Sequence, residues 1–328
     1  MDKKNIIIIE LGGTICSTGR CPTSEFYNSS DVSILSFIKE FDLSNQMNIK
    51  IENFSKKISH EFTSDEIIAL SRKIQDLVES ACCDGLVVVM GTNALEDIAY
   101  FVGLVVNSKK PIVFTGAHFP QNSLNFDGKR NLYNALLIAS SNEAYMLGVL
   151  ITFNDYVVTA RDATKINPGL SNNFSCEGNG IIGHVVGNSV FLKAKPIYKH
   201  TYLSDFSIKN IKSLPRVALL YAHIGMDDLY IKASMAAGVK GMVSAGYGKG
   251  YQPKNITEAL REAVLDDVVV VRCARAGIGY TNVDSAYDEK NEFIVASALL
   301  PHKCSLLLSV ALSLTNDKSK LQMIFKEY

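Results

Sequence analysis

Short, continuous runs of apolar and largely β-branched residues recur along the chain, separated by segments of helical character. The runs are Ile6–Ile9, Leu86–Met90, Ile112–Thr115, Val149–Phe153, Val217–Tyr221, Gly241–Ser244 and Val268–Val271. A strand with one wet face alternates apolar and polar residues. These runs do not alternate, which is the pattern of strands buried on both faces of a sheet. Between them lie amphipathic segments such as Ser64–Glu79, led by Thr63 or Ser64 as a cap, and Ile256–Val264. This alternation predicts an α/β fold built on a doubly wound, mostly parallel sheet. The 328 residues are enough for two cores. The rhythm breaks at Lys195–Pro215, which holds Pro196, His200, Pro215 and several polar residues. We therefore expect a larger first domain over residues 1–195, a linker over 196–215 and a smaller α/β domain over 216–328.

The residues just beyond the strands narrow the chemistry. Ile6–Ile9 runs into Glu10-Leu11-Gly12-Gly13-Thr14, and Leu86–Met90 runs into Gly91-Thr92-Asn93. Ile112–Thr115 runs into Gly116-Ala117-His118, and Val149–Phe153 into Asn154-Asp155. In open parallel sheets ligands sit beyond the carboxyl ends of the strands. Glycine there lets backbone approach a ligand closely and adopt positive φ. Two strand ends that each deliver a Gly-Thr pair form a candidate site. Each threonine is equally compatible with a helix N-cap.

Composition excludes several classes. Lys+Arg and Asp+Glu both number 33, so no field favours nucleic acid or an anionic membrane. No stretch approaches the roughly 20 apolar residues of a membrane span. Seven cysteines are present, an odd count with no CxxC pair, so neither a zinc site nor a disulfide framework is expected. A reducing compartment fits these cysteines. The N-terminal apolar run is too short for a signal-peptide core, so the cytoplasm is the expected location. The six histidines form no metal-ligand pattern and read as ordinary loop or helix-end residues; no metal is expected. Gly178-Asn179-Gly180-Ile181-Ile182-Gly183 matches G-x-G-x-x-G. However, Leu170–Glu177 before it is polar and loop-like, and Val185–Val190 after it reads as a strand. A dinucleotide site needs a strand before and a helix after, so no cofactor is expected.

The Gly-Thr pairs open onto a longer resemblance. Gly12-Gly13-Thr14-Ile15 and Gly91-Thr92 resemble the two signatures of the bacterial-type L-asparaginases. The resemblance continues through Lys110-Pro111-Ile112-Val113 to Gly116-Ala117, then Asp127-Gly128 and Asn131–Ala135. It extends over Arg161–Asn167, which includes Lys165, and into Val243–Gly246 and Val295–Ser297. Five motifs in the right order cover nearly the whole chain. The resemblance implies that Thr14 is the nucleophile and that Tyr27, thirteen positions later, assists it from a lid loop. It implies that Thr92 is the second catalytic threonine with Lys165 beside it, and that Ser59 holds a substrate carboxylate. His60, Asn93 and Ala117 fall in the same pocket, Ala117 where backbone groups meet the scissile amide. It further implies a homotetramer of intimate dimers, with sites formed at subunit interfaces.

These residue types suit the reaction. A threonine hydroxyl is a poor nucleophile until a neighbour accepts its proton. A tyrosine on a closing lid does this only once substrate is bound. Strand-end N–H groups can stabilise an oxyanion, and a threonine–lysine pair can orient water. The chain also departs from the family. Asn93 stands where an aspartate is usual, next to the lysine and the substrate's ammonium. Gly248-Lys249-Gly250-Tyr251 replaces the family's asparagines, and Ala286 falls where a neighbouring subunit would lend an acid, unless Asp284 or Asp288 serves. Loss of the anion should lower the Lys165 pKa. The expected function is hydrolysis of the side-chain amide of L-asparagine, or of a close relative with a changed amino group. Acyl transfer or elimination on a modified asparagine, and a non-catalytic binding role, remain the alternatives.

Overall fold

The computed structural model of the chain describes residues 3–23, 27–29, 33–169, 174–175, 180–277 and 279–328. The chain divides into two compact units, Met1–Lys209 and Asn210–Tyr328.

The first unit contains strands β1 (Lys4–Glu10), β2 (Ser17–Gly19), β3 (Tyr27–Ser29), β4 (Met47–Asn53), β5 (Gly85–Val89), β6 (Ile112–Thr115), β7 (Val149–Phe153), β8 (Tyr156–Thr159), β9 (Thr164–Lys165), β10 (Phe174–Ser175), β11 (Ile181–Val186) and β12 (Ser189–Leu192). Its helices are α1 (Leu35–Glu40), α2 (Ser64–Glu79), α3 (Leu95–Val105) and α4 (Gly128–Ser140). Among the described residues, eight strands form one sheet in the order β12-β11-β8-β7-β6-β5-β1-β4. The five from β4 to β7 are mutually parallel, and β8, β11 and β12 continue the sheet antiparallel.

In this unit the apolar runs are buried on both faces, the state that their lack of alternation predicts. Ile6, Ile8, Val87, Val89 and Val113 share a core with Phe37 of α1 and Leu132, Ala135 and Leu136 of α4. By the two-residue period of a strand, Ile7, Ile9, Leu86 and Val88 point to the opposite face, and they too are buried. Helix α3 packs against β6 and β7. Helix α2 starts at a capping box: Thr63 Oγ1 accepts from Glu66 N, and Glu66 accepts from Thr63 N at 2.8 Å. The Thr63 backbone bond, together with Lys57 and the Thr63 hydroxyl, lowers the Glu66 pKa to about 2.

Two local expectations are corrected. Val185–Val190 is not one strand. It contains the turn of the β11–β12 hairpin, because Gly187 adopts φ 59° and reverses the chain beside Asn188. Within Leu170–Glu177, Phe174–Ser175 is not loop but pairs antiparallel with Thr164–Lys165; residues 170–173, 176 and 177 lie outside the described residues. Gly180 runs directly into β11, so strand and not helix comes after that part of the glycine motif, while Gly178 and Asn179 lie outside the described residues.

The second unit is an all-parallel sheet of β13 (Val217–Tyr221), β14 (Gly241–Gly246), β15 (Val269–Ala274) and β16 (Ile294–Val295). Helices α5 (Leu229–Ala236), α6 (Lys254–Leu265), α7 (Pro301–Leu312) and α8 (Lys318–Glu327) pack on it. Ile231, Met242, Ile256, Leu260, Val270 and Phe293 form its core. The expectation for Val217–Tyr221 is corrected too: β13 is the edge strand of this sheet, and only Leu220 is buried while Leu219 and Tyr221 are exposed. No helix among the described residues is long and apolar enough to cross a membrane.

Candidate active site

Parallel pairing of β1 with β5 brings their carboxyl ends side by side, and Leu11 N extends the ladder to Val89 O at 2.8 Å. Beyond that point the two chains come closer than side chains allow. A Cβ on Gly13 would lie 2.4 Å from Gly91 N, and Gly13 has φ 96°. The approach therefore requires glycine, and it sets the buried Thr14 and Thr92 at adjacent strand ends. Neither threonine is a helix cap. Gly13 and Ala94 occupy those positions, without side-chain capping bonds.

Thr14, Ser59, Thr92 and Asn93 line one cavity of about 310 Å³, at the lower end of the range for small-molecule sites. Lys165, on β9, donates from Nζ to Thr92 Oγ1 at 2.8 Å and to Asn93 Oδ1 at 3.1 Å. Its backbone N–H donates to Glu96 at 3.1 Å. Burial lowers the Lys165 pKa below the ordinary lysine value, and the Glu96 charge opposes the shift.

Ser59 sits in a 3-10 turn over Ser59–Glu61. Its Oγ accepts from Asn93 N at 3.1 Å and from Ala94 N at 3.3 Å. A hydroxyl has two acceptor lone pairs and one proton. Both lone pairs are thus occupied, and the proton is the group left to offer a ligand. Asn93 Nδ2 lies 3.1 Å from His60 Nδ1. Because the Asn93 oxygen faces Lys165, the amide nitrogen donates to His60.

At the end of β6, a Cβ on Gly116 would lie 2.3 Å from Met90 O, so a third strand end is also held close. Ala117 comes next and is buried. The backbone of Tyr27 forms β3 opposite Gly19 of β2, and is therefore not irregular loop; its side chain lies outside the described residues. Among the described residues no group of three or more His, Cys, Asp or Glu is placed to hold a metal ion.

Sequence reasoning missed two residues. His118, read as an ordinary loop residue, accepts Gly169 N–H at Nε2 across 3.0 Å, while Asp127 holds its backbone N–H at 2.9 Å. Burial lowers its pKa, the Lys165 charge lowers it further, and Asp127 opposes. No sequence signal marked it. Glu10 also lines the cavity. An acid ending an otherwise apolar strand was the available signal. In the second unit, the two acids considered for the ammonium are already engaged. Asp284 accepts Tyr251 OH at 2.7 Å, and the buried Asp288 accepts the backbone N–H of Glu292 and Phe293 at 2.8 and 2.9 Å.

Fold and site together define an α/β protein with a threonine pair and a lysine at the carboxyl edge of a parallel sheet. Residues 5–198 match the family profile "Asparaginase, N-terminal", and residues 216–325 match "Glutaminase/Asparaginase C-terminal domain". The chain therefore belongs to the asparaginase family. It is 33% identical to the probable periplasmic L-asparaginase of Haemophilus influenzae, over 100% of this chain and 94% of that protein. It is 34% identical to L-asparaginase 2 of Bacillus subtilis, over 100% of this chain and 87% of the relative. The probable cytoplasmic L-asparaginase of Campylobacter jejuni has a crystal structure similar to this one, with TM-score 0.93 and 32% identity. That match covers 99% of this chain and 100% of the other.

Proposed function

We propose that this protein hydrolyses the side-chain amide of L-asparagine, or of a close relative with a changed amino group, through an acyl ester on Thr14. The observation that carries this reading is the Lys165–Thr92 hydrogen bond at 2.8 Å, on a strand end whose glycine abuts the one beside Thr14. The names of the relatives, L-asparaginase and glutaminase-asparaginase, support the same reaction.

In this reading the Thr14 oxygen attacks the amide carbonyl carbon and Tyr27 takes its proton. Backbone N–H groups near Ala117 receive the oxyanion. The C–N bond breaks, the nitrogen leaves as ammonia with a proton returned to it, and the acyl group stays on Thr14. Thr92 and Lys165 then orient a water, which attacks the ester and releases the acid and Thr14. The lowered Lys165 pKa makes its neutral form more accessible as a base. The remaining Ser59 proton binds the substrate's carboxylate, and His60 and Asn93 complete that end of the pocket. Asn93, being neutral, supplies no charge of its own to an amino group on the substrate.

We assign catalysis to the domain of residues 1–195 and treat 216–328 as the smaller second domain. The assembly is a homotetramer of intimate dimers, in keeping with the family resemblance. A cytoplasmic location fits the free cysteines, of which Cys21 and Cys82 are exposed.

The test is ammonia release from a panel of small amides, with mass-spectrometric trapping of an ester on Thr14. Release of ammonia and a Thr14 adduct are expected. Absence of both across L-asparagine and its N-acylated and deaminated analogues would overturn the proposal.

A further inference from the structure

Glu10 closes β1 and is 5% exposed, yet it lines the same cavity as Thr14 and Thr92. Among the described residues lining that cavity it is the acidic one. Its hydrogen-bond donor is the Cys16 thiol, 3.2 Å from Oε1. A thiol is a weak donor, whereas a carboxylate has about four acceptor sites. Burial, reinforced by the Glu10 charge, pushes the Cys16 pKa well up, with Lys56 opposing; Cys16 therefore stays a neutral thiol. Two cations, Lys56 and Lys57, also line the cavity. Lys57 gives both its 2.9 Å bonds to Glu66, and Lys56 is exposed. Lys165 is held by Thr92 and Asn93. A buried carboxylate with so little compensation is costly unless a ligand supplies the donors.

We propose that Glu10 is a specificity-determining residue whose carboxylate receives a protonated amine of the substrate in the cavity that holds Thr14. The inference rests on the amide-hydrolysis reading and deepens it. The substrate class is a small amide carrying both a carboxylate and an ammonium. Ser59 takes the carboxylate, Thr14 the amide, and Glu10 supplies the negative charge that Asn93 lacks.

Two product-like diacids separate this role from a structural one, because L-aspartate and succinate differ by the ammonium. Titration calorimetry with wild type and Glu10→Gln measures both. Wild type binds L-aspartate more tightly than succinate. In Glu10→Gln, L-aspartate affinity falls about 10-fold or more, while succinate affinity holds or rises as a repelling charge is removed. Ammonia release shows the same contrast, with KM for L-asparagine rising relative to KM for succinamic acid. Equal losses for both ligands, or a wild type with no preference for L-aspartate, overturn the assignment. If the binding contrast holds but neither amide releases ammonia, the hydrolysis reading fails and Glu10 keeps its role. If Glu10→Gln does not fold, Cys16→Ala substitutes. It removes the thiol but leaves the charge, so the preference for L-aspartate persists; its loss overturns the proposal.

Discussion

The Lys165 ammonium donates to the Thr92 hydroxyl across 2.8 Å, although 73 positions separate the two residues. The contact exists because Thr92 ends a buried parallel strand, while Lys165 lies on a two-residue strand paired with Phe174–Ser175. The same ammonium reaches the neutral oxygen of Asn93.

Removing the Thr14 hydroxyl should abolish turnover and leave the fold intact. The expected loss for Thr14→Ala is at least about 10³-fold, the scale of losing a nucleophile. Ammonia release and far-ultraviolet circular dichroism check both parts. If Thr14→Ala kept its rate while Thr92→Ala lost it, the two roles would be exchanged.

Asn93→Asp restores an anion beside Lys165. A charge-assisted contact is worth about 1.5–3 kcal/mol. The ratio of activity on L-asparagine to that on succinamic acid should therefore rise roughly 10- to 150-fold. The new carboxylate favours the ammonium and raises the Lys165 pKa, opposing the lowering caused by burial. If neutral Lys165 is the working base, the pH at which activity climbs moves upward. A pH profile unchanged in position would remove Lys165 from that step.

Acid should weaken the anchor at His118. Burial and then the Lys165 charge lower its pKa, against Asp127. The unfolded chain therefore binds the proton more readily than the folded one. Stability from this group is complete above the ordinary histidine value of about 6.5 and is lost as pH falls from there through the folded value. Protonated His118 cannot accept the Gly169 N–H. Hydrogen exchange at the Gly169 amide should accelerate as pH drops through this window, after correction for the intrinsic rate. The acceleration should be absent in His118→Gln.

Gly13→Ala should destabilise by at least about 2 kcal/mol, since left-handed strain adds to a backbone collision. The new Cβ would meet Gly91 N at 2.4 Å. Gly238→Ala is the control: its φ is 73° but nothing lies within 4 Å of a Cβ there, so it bears only the strain. Urea midpoints measure the difference, and equal shifts would mean that the Gly13–Gly91 approach relaxes easily.

Ser59→Ala removes the acceptor for Asn93 N and Ala94 N. Leaving such groups unpaired costs about 1–3 kcal/mol. The loss of the hydroxyl proton should raise KM for substrates with a carboxylate more than for those without. A uniform change across both kinds of substrate would limit Ser59 to a structural role.

The strand cores were legible because short apolar runs without alternation mark strands, but Val217–Tyr221 proved to be an edge strand whose Leu219 and Tyr221 stay exposed. The Thr63 cap was legible because a capping box is local in sequence. The β11–β12 turn and the β9–β10 pair were not. The first depends on one glycine taking φ 59°, and the second joins segments too short to carry a periodic signal.

The sequence by itself determined the α/β class and the two Gly-Thr strand ends. It also carried the order of motifs that resemble the asparaginases. These depend on residue type and spacing, which are local properties. Tertiary structure alone decided that Gly13 abuts Gly91, that Lys165 meets Thr92, and that Ser59 uses both its lone pairs on the backbone after Thr92. It also turned Glu10, one acid at the end of an isoleucine run, into a buried carboxylate on the wall of the cavity. Such relations join residues far apart in the chain, and only strand register and packing bring them within hydrogen-bond reach.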